Sequence, residues 1–145
     1  MKDPAGFLLD SANSGIYAAA PPVAALRQEA AARGLAWFDL DLQGVTGKLE
    51  LLGRCQTALG LPPSFGHNWD ALADCLGDFS WQPARGYVVH CRNAEAFAQV
   101  APAEFTTWLE ILAGAATYWQ MQDKMFVALL DAKTRGGRTL KTLPG

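Results

Sequence analysis

Apolar and polar positions alternate along this chain with two distinct periods, and the switches between them mark the elements. Leu35-Ala36-Trp37-Phe38-Asp39-Leu40-Asp41-Leu42 opens as a continuous apolar run and ends in strict alternation, the pattern of a strand buried on at least one face. Arg85-Gly86-Tyr87-Val88-Val89-His90-Cys91 is rich in β-formers, and Lys124-Met125-Phe126-Val127-Ala128-Leu129-Leu130 is apolar almost throughout, as in a central strand covered on both faces. Helical spacing dominates between them. Leu49, Leu52, Cys55 and Leu59 line one face of a predicted helix over 48–59, with Gly60 past its end. A short helix is predicted around Ala94–Val100. Phe105, Trp108, Leu109, Leu112, Ala116 and Trp119 then give the longest one, started by Pro102 and running to about Gln120. Trp108, Tyr118 and Trp119 are all read here as core.

Upstream, Gly15-Ile16-Tyr17 reads as a short edge strand, and Pro21-Pro22 breaks the chain before a helix over Val23 to Arg33 that stops at Gly34. The first 15 residues, with the apolar patch Phe7-Leu8-Leu9, read as loosely ordered. After Asp131 the periodicity is lost, and Gly136-Gly137 predicts a flexible basic tail. Strands separated by helices imply right-handed parallel crossovers. The predicted fold is therefore α/β: a small, mostly parallel three-stranded sheet packed with helices. The organisation is an N-terminal strand and helix extension (1–34), a main domain (35–131) and the tail (132–145).

One helix does not follow from packing alone. Over Phe65-Gly66-His67-Asn68-Trp69-Asp70-Ala71-Leu72-Ala73-Asp74-Cys75-Leu76-Gly77-Asp78, helical geometry places Trp69, Leu72, Ala73 and Leu76 on an apolar side and Asp70, Asp74 and Asp78 in one stripe opposite. Leu61-Pro62-Pro63-Ser64 before it cannot be helical, Asn68 suits the N-cap, and Gly77 ends the helix. Carboxylates four apart repel by roughly 0.2–0.5 kcal/mol per pair, and only Asp70 lies where the helix dipole compensates. A solvated face is the ordinary explanation of such a stripe. A positively charged partner is the alternative.

Charge bears on that choice. The chain has 12 basic and 14 acidic residues; residues 132–145 hold four of the basic ones and no acid, which leaves 8 against 14, a net −6, in the rest. An acidic body repels nucleic-acid phosphates and steers basic proteins towards itself. Half the residues are apolar and no run reaches the length of a membrane span, so a cytoplasmic protein is expected, with no membrane or direct nucleic-acid contact. Cys55, Cys75 and Cys91 are odd in number, widely spaced and without a CxxC, so they read as buried free thiols and not as a metal or disulfide framework. No phosphate loop, nucleophile elbow or metal-binding His pair is present. His67 with Asp70 and Asp74 is the one grouping that a hydrolase or phosphoesterase would use, as base, orienting group or metal ligands.

The stretch from Leu61-Pro62 through Phe65-Gly66-His67-Asn68-Trp69-Asp70-Ala71-Leu72-Ala73-Asp74-Cys75-Leu76 resembles the loop and second helix of the barstar family of intracellular ribonuclease inhibitors. That pattern is an aromatic, Gly, a polar residue, Asn, an apolar residue, Asp-Ala-Leu, and a second Asp four after the first. It extends more loosely from Trp37 to near Leu130 in the same element order. The resemblance implies an inhibitor that needs no cofactor or metal and has no catalytic residue. It inserts this loop and helix into the cationic cleft of a secreted or toxic basic ribonuclease, with carboxylates imitating RNA phosphates. Its implied contact set is Ser64, Phe65, Gly66, His67, Asn68, Asp70, Ala71, Asp74 and Asp78, with Asp74 as central anchor. The chain departs from the best-known member at His67, which replaces an acid, at Ser64, which replaces a Tyr, and at Ala73, which replaces a Trp. The pair Tyr118-Trp119 lies near the position of that member's acidic contact on its last helix. A hydrolase, or a regulatory module for another basic protein, remains the alternative reading.

Overall fold

The computed structural model describes residues 11–18 and 23–130, together with the backbone of 141–142. A single 3-10 turn at Ser11–Asn13 leads into β1 (Gly15–Ala18), followed by α1 (Val23–Ala32), β2 (Leu35–Asp41), α2 (Lys48–Leu59) and α3 (Trp69–Leu76). Then come β3 (Gly86–Arg92), α4 (Ala94–Val100), α5 (Pro102–Met121), β4 (Met125–Leu130) and β5 (Lys141–Thr142). All pairings are parallel, in the order β2-β3-β4-β1-β5.

The α/β class agrees with the sequence, but the sheet is larger than the three strands expected. The three predicted strands are β2, β3 and β4, side by side. β1 adds to the free side of β4, with Gly15 opposite Val127 and Ala18 opposite Leu130. It is also not the edge strand that its sequence suggested, because β5 pairs with it through Tyr17–Lys141 and Ala18–Thr142. Four residues are too few to show a period, and a parallel partner more than a hundred residues away leaves no local signal. Most of the predicted basic tail, the Phe7-Leu8-Leu9 patch and the Pro21-Pro22 break lie outside the described residues.

Strand alternation divides the core into two layers. Ala36, Phe38 and Leu40 of β2, Tyr87, Val89 and Cys91 of β3, and Phe126, Ala128 and Leu130 of β4 pack with α2, α3, α4 and α5 in the main core. Leu35, Trp37, Val88, Met125, Val127, Leu129 and Tyr17 point to the opposite face, where Leu26 and Ala30 of α1 cover them. α1 is thus the sole helix of its layer among the described residues. β3 and β4 are buried along nearly their whole length, as their apolar runs require. At Gly86 a Cβ would lie 2.8 Å from the Met125 carbonyl oxygen and from Leu35 Cδ2, so only glycine lets β3 sit this close to its neighbours.

Candidate functional site

The loop between α2 and α3 is fixed by backbone bonds and one buried aromatic. Gly60 turns the chain in the left-handed region at φ 63°, and the Leu61 amide donates to the Gln56 carbonyl at 3.0 Å. The Phe65 amide donates to the Pro62 carbonyl at 2.9 Å, and the Phe65 ring is buried in the main core. Around that anchor Ser64, Gly66, His67 and Asn68 are exposed. His67 adopts φ 51°, a left-handed conformation that costs a non-glycine residue roughly 1–2 kcal/mol. Its ring lies 4.8 Å from the Phe65 ring, and its Nδ1 lies 3.1 Å from the Phe65 carbonyl oxygen.

Asn68 caps α3 as its sequence position suggests. Its backbone is extended and its Oδ1 accepts from the Ala71 amide at 2.7 Å, while its Nδ2 donates to the Gly66 carbonyl at 3.3 Å. The same side chain therefore ties loop to helix. On the inner face Leu72 and Leu76 are fully buried. Trp69, expected in the core, is half-buried against it and lies under the Lys48 ammonium, 5.6 Å from its ring centroid. Ala73, placed by the sequence on the apolar side, is exposed. It sits one position beyond Leu72, about 100° around the helix, which is enough to carry it over the rim.

Asp70 and Asp74 are exposed on α3, and Asp78 follows the helix in the turn closed by Gly77. Ser80 Oγ donates to Asp78 at 3.0 Å. Among the described residues neither Asp70 nor Asp74 makes an ion pair or a side-chain hydrogen bond. Several carboxylates elsewhere behave differently. Burial pushes the Asp39 carboxyl up, but the Trp37 indole N–H at 3.2 Å, the Arg27 guanidinium at 2.9 Å and His90 outweigh it and hold it below its ordinary value. Asp41 is lowered by the Asn93 amide at 2.7 Å and the Gln43 N–H, and Glu50 by the Thr46 hydroxyl at 2.6 Å.

Of the three thiols, Cys55 and Cys91 are buried and Cys75 is half-buried, and none forms a disulfide. Burial first, and then the charges of Asp78 and Asp74, push the Cys75 thiol up. His90 lies 3.5 Å from Asp39, and its alternation with Val88 places it on the α1 side of the sheet, away from α3. The structure does not bring it to His67. No group of three or more His, Cys, Asp or Glu able to hold a metal occurs among the described residues.

The sequence missed the wall facing α3. Ala73, Asp74 and Gly77 form one side of a groove of about 570 Å³, and Thr107, Glu110, Ile111, Gly114, Ala115 and Tyr118 of α5 form the other. Tyr118, expected in the core, is 44% exposed, whereas Trp108 and Trp119 are buried. One residue before Trp119 is about 100° away on the helix, and there the ring faces the groove. The spacing 107, 110, 111, 114, 118 is itself a helical stripe and was the available signal.

A family model, Barstar (barnase inhibitor), matches residues 35–131, more than half of the chain and all of the segment from β2 to β4. The chain belongs to the barstar family. No curated protein sequence matches it significantly. Membership in the barstar family implies a ribonuclease partner, and the family's members are inhibitors, not enzymes. The matched segment contains the Phe65–Asp78 stretch whole, and it begins at β2, after β1 and α1. In the same frame no described helix is long and apolar enough to cross a membrane.

Proposed function

We propose that this protein is a one-to-one inhibitor of a basic ribonuclease and acts by occupancy, without turnover. The contact surface in this reading is the loop and helix from Ser64 to Asp78: Ser64, Gly66, His67 and Asn68 at the rim, Asp70, Asp74 and Asp78 as anionic groups, and Phe65 and Ala71 as the floor. One observation carries it: Asp70 and Asp74 project into solvent from a capped, core-anchored helix with no cation of their own among the described residues. Several other carboxylates, Asp39, Asp41 and Glu50, are tied down within the fold. A ribonuclease cleft presents cations arranged for phosphates, and rigid carboxylates at comparable spacing fill it without needing to be ordered on binding. His67, held in the left-handed region at the rim, fits a loop shaped for contact and not for stability. The net −6 of residues 1–131 adds attraction at long range.

Co-expression with barnase in a bacterial host is the test. Protection of growth by the wild-type chain, lost when Asp70 and Asp74 are both changed to Ala, is the expected result. Cell death in the presence of abundant folded wild-type protein contradicts the reading. A cytoplasmic site of action belongs to the same proposal.

A further inference from the structure

We propose that the cavity at the C-terminal end of α1 binds a nucleoside monophosphate, with Arg33 and Arg85 holding the phosphate and Asp123 accepting from the hydroxyl or amino groups of the nucleoside. The inference does not rest on the proposed function. The cavity shares no lining residue with α3 and opens on the α1 face of the sheet, opposite the layer in which α3 packs.

Its volume is about 600 Å³, and it forms where three strands begin. Leu35 of β2, Gly86 of β3 and Met125 of β4 are register partners, and Leu35 and Met125 supply the apolar floor. The polar groups come from four separate parts of the chain. Arg33 follows the last turn of α1, Arg85 precedes β3, Asp123 lies in the turn between α5 and β4, and Ser11 belongs to the 3-10 turn.

Both guanidinium groups are positioned by the fold without being neutralised by it. The Arg85 amide donates to the Gly34 carbonyl at 3.1 Å, and the Arg85 stem crosses Gly34, where an added Cβ would stand 3.2 Å from Arg85 Cδ. Among the described residues the exposed Arg85 guanidinium makes no ion pair or hydrogen bond. Arg33 Nη2 reaches Glu29 only at 3.7 Å, beyond hydrogen-bond length, and Arg33 Nε is buried with no partner among those residues. The donors of both side chains are thus largely unspent within the fold. Asp123 pairs with neither arginine among the described residues; its Oδ1 accepts from the Ser11 hydroxyl at 3.0 Å.

That arrangement selects among anions. Two guanidinium forks match the oxygens and the charge of a terminal phosphate. Inorganic phosphate alone would face the Asp123 carboxylate with nothing to offer it, and would leave the apolar floor bare. A nucleoside monophosphate carries the anion at one end, donors for Asp123 at the other and a flat base to lie on Leu35 and Met125. The cavity falls within the range of roughly 300–1,000 Å³ usual for small-molecule sites. A nucleic-acid strand is the poorer occupant, because the net −6 of residues 1–131 repels a polyanion.

The test uses the isotope-labelled full chain, titrated separately with the four nucleoside 5′-monophosphates, the parent nucleosides and inorganic phosphate. At least one monophosphate should give saturable amide shifts at Gly34, Arg85 and Asp123. It should bind about tenfold or more tightly than its nucleoside or inorganic phosphate, as expected when hydrogen bonds to charged groups are gained. Arg85→Gln and Arg33→Gln, which keep the aliphatic stems, should each weaken it by about tenfold or more, with unfolding curves as the control for folding. Asp123→Asn should weaken the monophosphate several-fold while leaving inorganic phosphate unchanged or tighter. No saturable shift, shifts centred elsewhere, inorganic phosphate bound as tightly as every monophosphate, or affinities indifferent to both arginine variants overturn the proposal.

Discussion

The indole Nε1 of Trp119 donates to the carbonyl oxygen of Leu76 at 2.7 Å, across 43 positions of sequence, and so joins the last turn of α3 to the longest helix of the domain. Carbonyls in a final helical turn have no partner within the helix, and this one is buried. Trp119→Phe keeps most of the packing against Tyr87 but leaves the Leu76 carbonyl unsatisfied. A loss of about 1–3 kcal/mol is expected from denaturant unfolding. A change within error of wild type would mean that the bond does not hold α3 in place.

Asn68 is expected to act on stability through its cap. Asn68→Ala should cost about 0.5–2 kcal/mol, and Asn68→Asp, which still accepts from the Ala71 amide, should retain most of it. Thermal unfolding of the two variants side by side checks this. Equal destabilisation by both would show that the Nδ2 bond to Gly66, which aspartate cannot make, matters more than the cap.

Two glycines give opposite expectations. Gly53 lies inside α2 with open space where a Cβ would stand, so Gly53→Ala should stabilise by about 0.5–1 kcal/mol through helix propensity. Gly86→Ala forces a Cβ to 2.8 Å from backbone of β4 and should destabilise by about 1–3 kcal/mol. Unfolding midpoints in urea with an unchanged slope would measure both; a stable Gly86→Ala variant would require that β3 and β4 can separate without loss.

Acid should destabilise the fold in a definite window. Asp39, Asp41 and Glu50 are held below their ordinary values of 3.8, 3.8 and 4.5. A depressed folded value means that the unfolded chain binds protons first as pH falls. Their contribution is therefore fully present above about pH 4.5 and lost progressively as pH drops below it through the folded values. Urea unfolding between pH 7 and pH 3 should show this fall, with a shallower slope in Asp39→Asn. Stability that is flat or rising across that window would contradict the assignment.

How much of this was legible depends on whether the signal is local. β2, β3, β4, the cap at Asn68 and the stop at Gly60 follow from runs, periods and residue types within a few positions of each other. The sheet positions of β1 and β5 do not, since each depends on a partner far along the chain. At the site, Asp70 and Asp74 could be placed on one face of α3 from spacing alone. The groove could not, because it exists only where Ala73 and Gly77 meet Gly114 and Tyr118, two helices whose stripes have no sequence relation. Tyr118 was misread for the same reason: adjacent aromatics on a helix point in different directions, and only the packing of α5 decides which one is buried.

The central claim is that Asp74 anchors a ribonuclease. The most direct measurement titrates the RNA cleavage of barnase with wild-type and Asp74→Ala protein and compares the dissociation constants, with unfolding curves of both as the control for folding. A penalty above about 2 kcal/mol, roughly a thirtyfold weaker complex, is predicted; the scale is that of the barnase–barstar pair, itself of this family, and not one obtained from this chain. Since Asp74 is exposed and makes no ion pair among the described residues, its removal should leave unfolding within about 0.5 kcal/mol of wild type. Equal affinity of the two proteins for the enzyme would contradict the account.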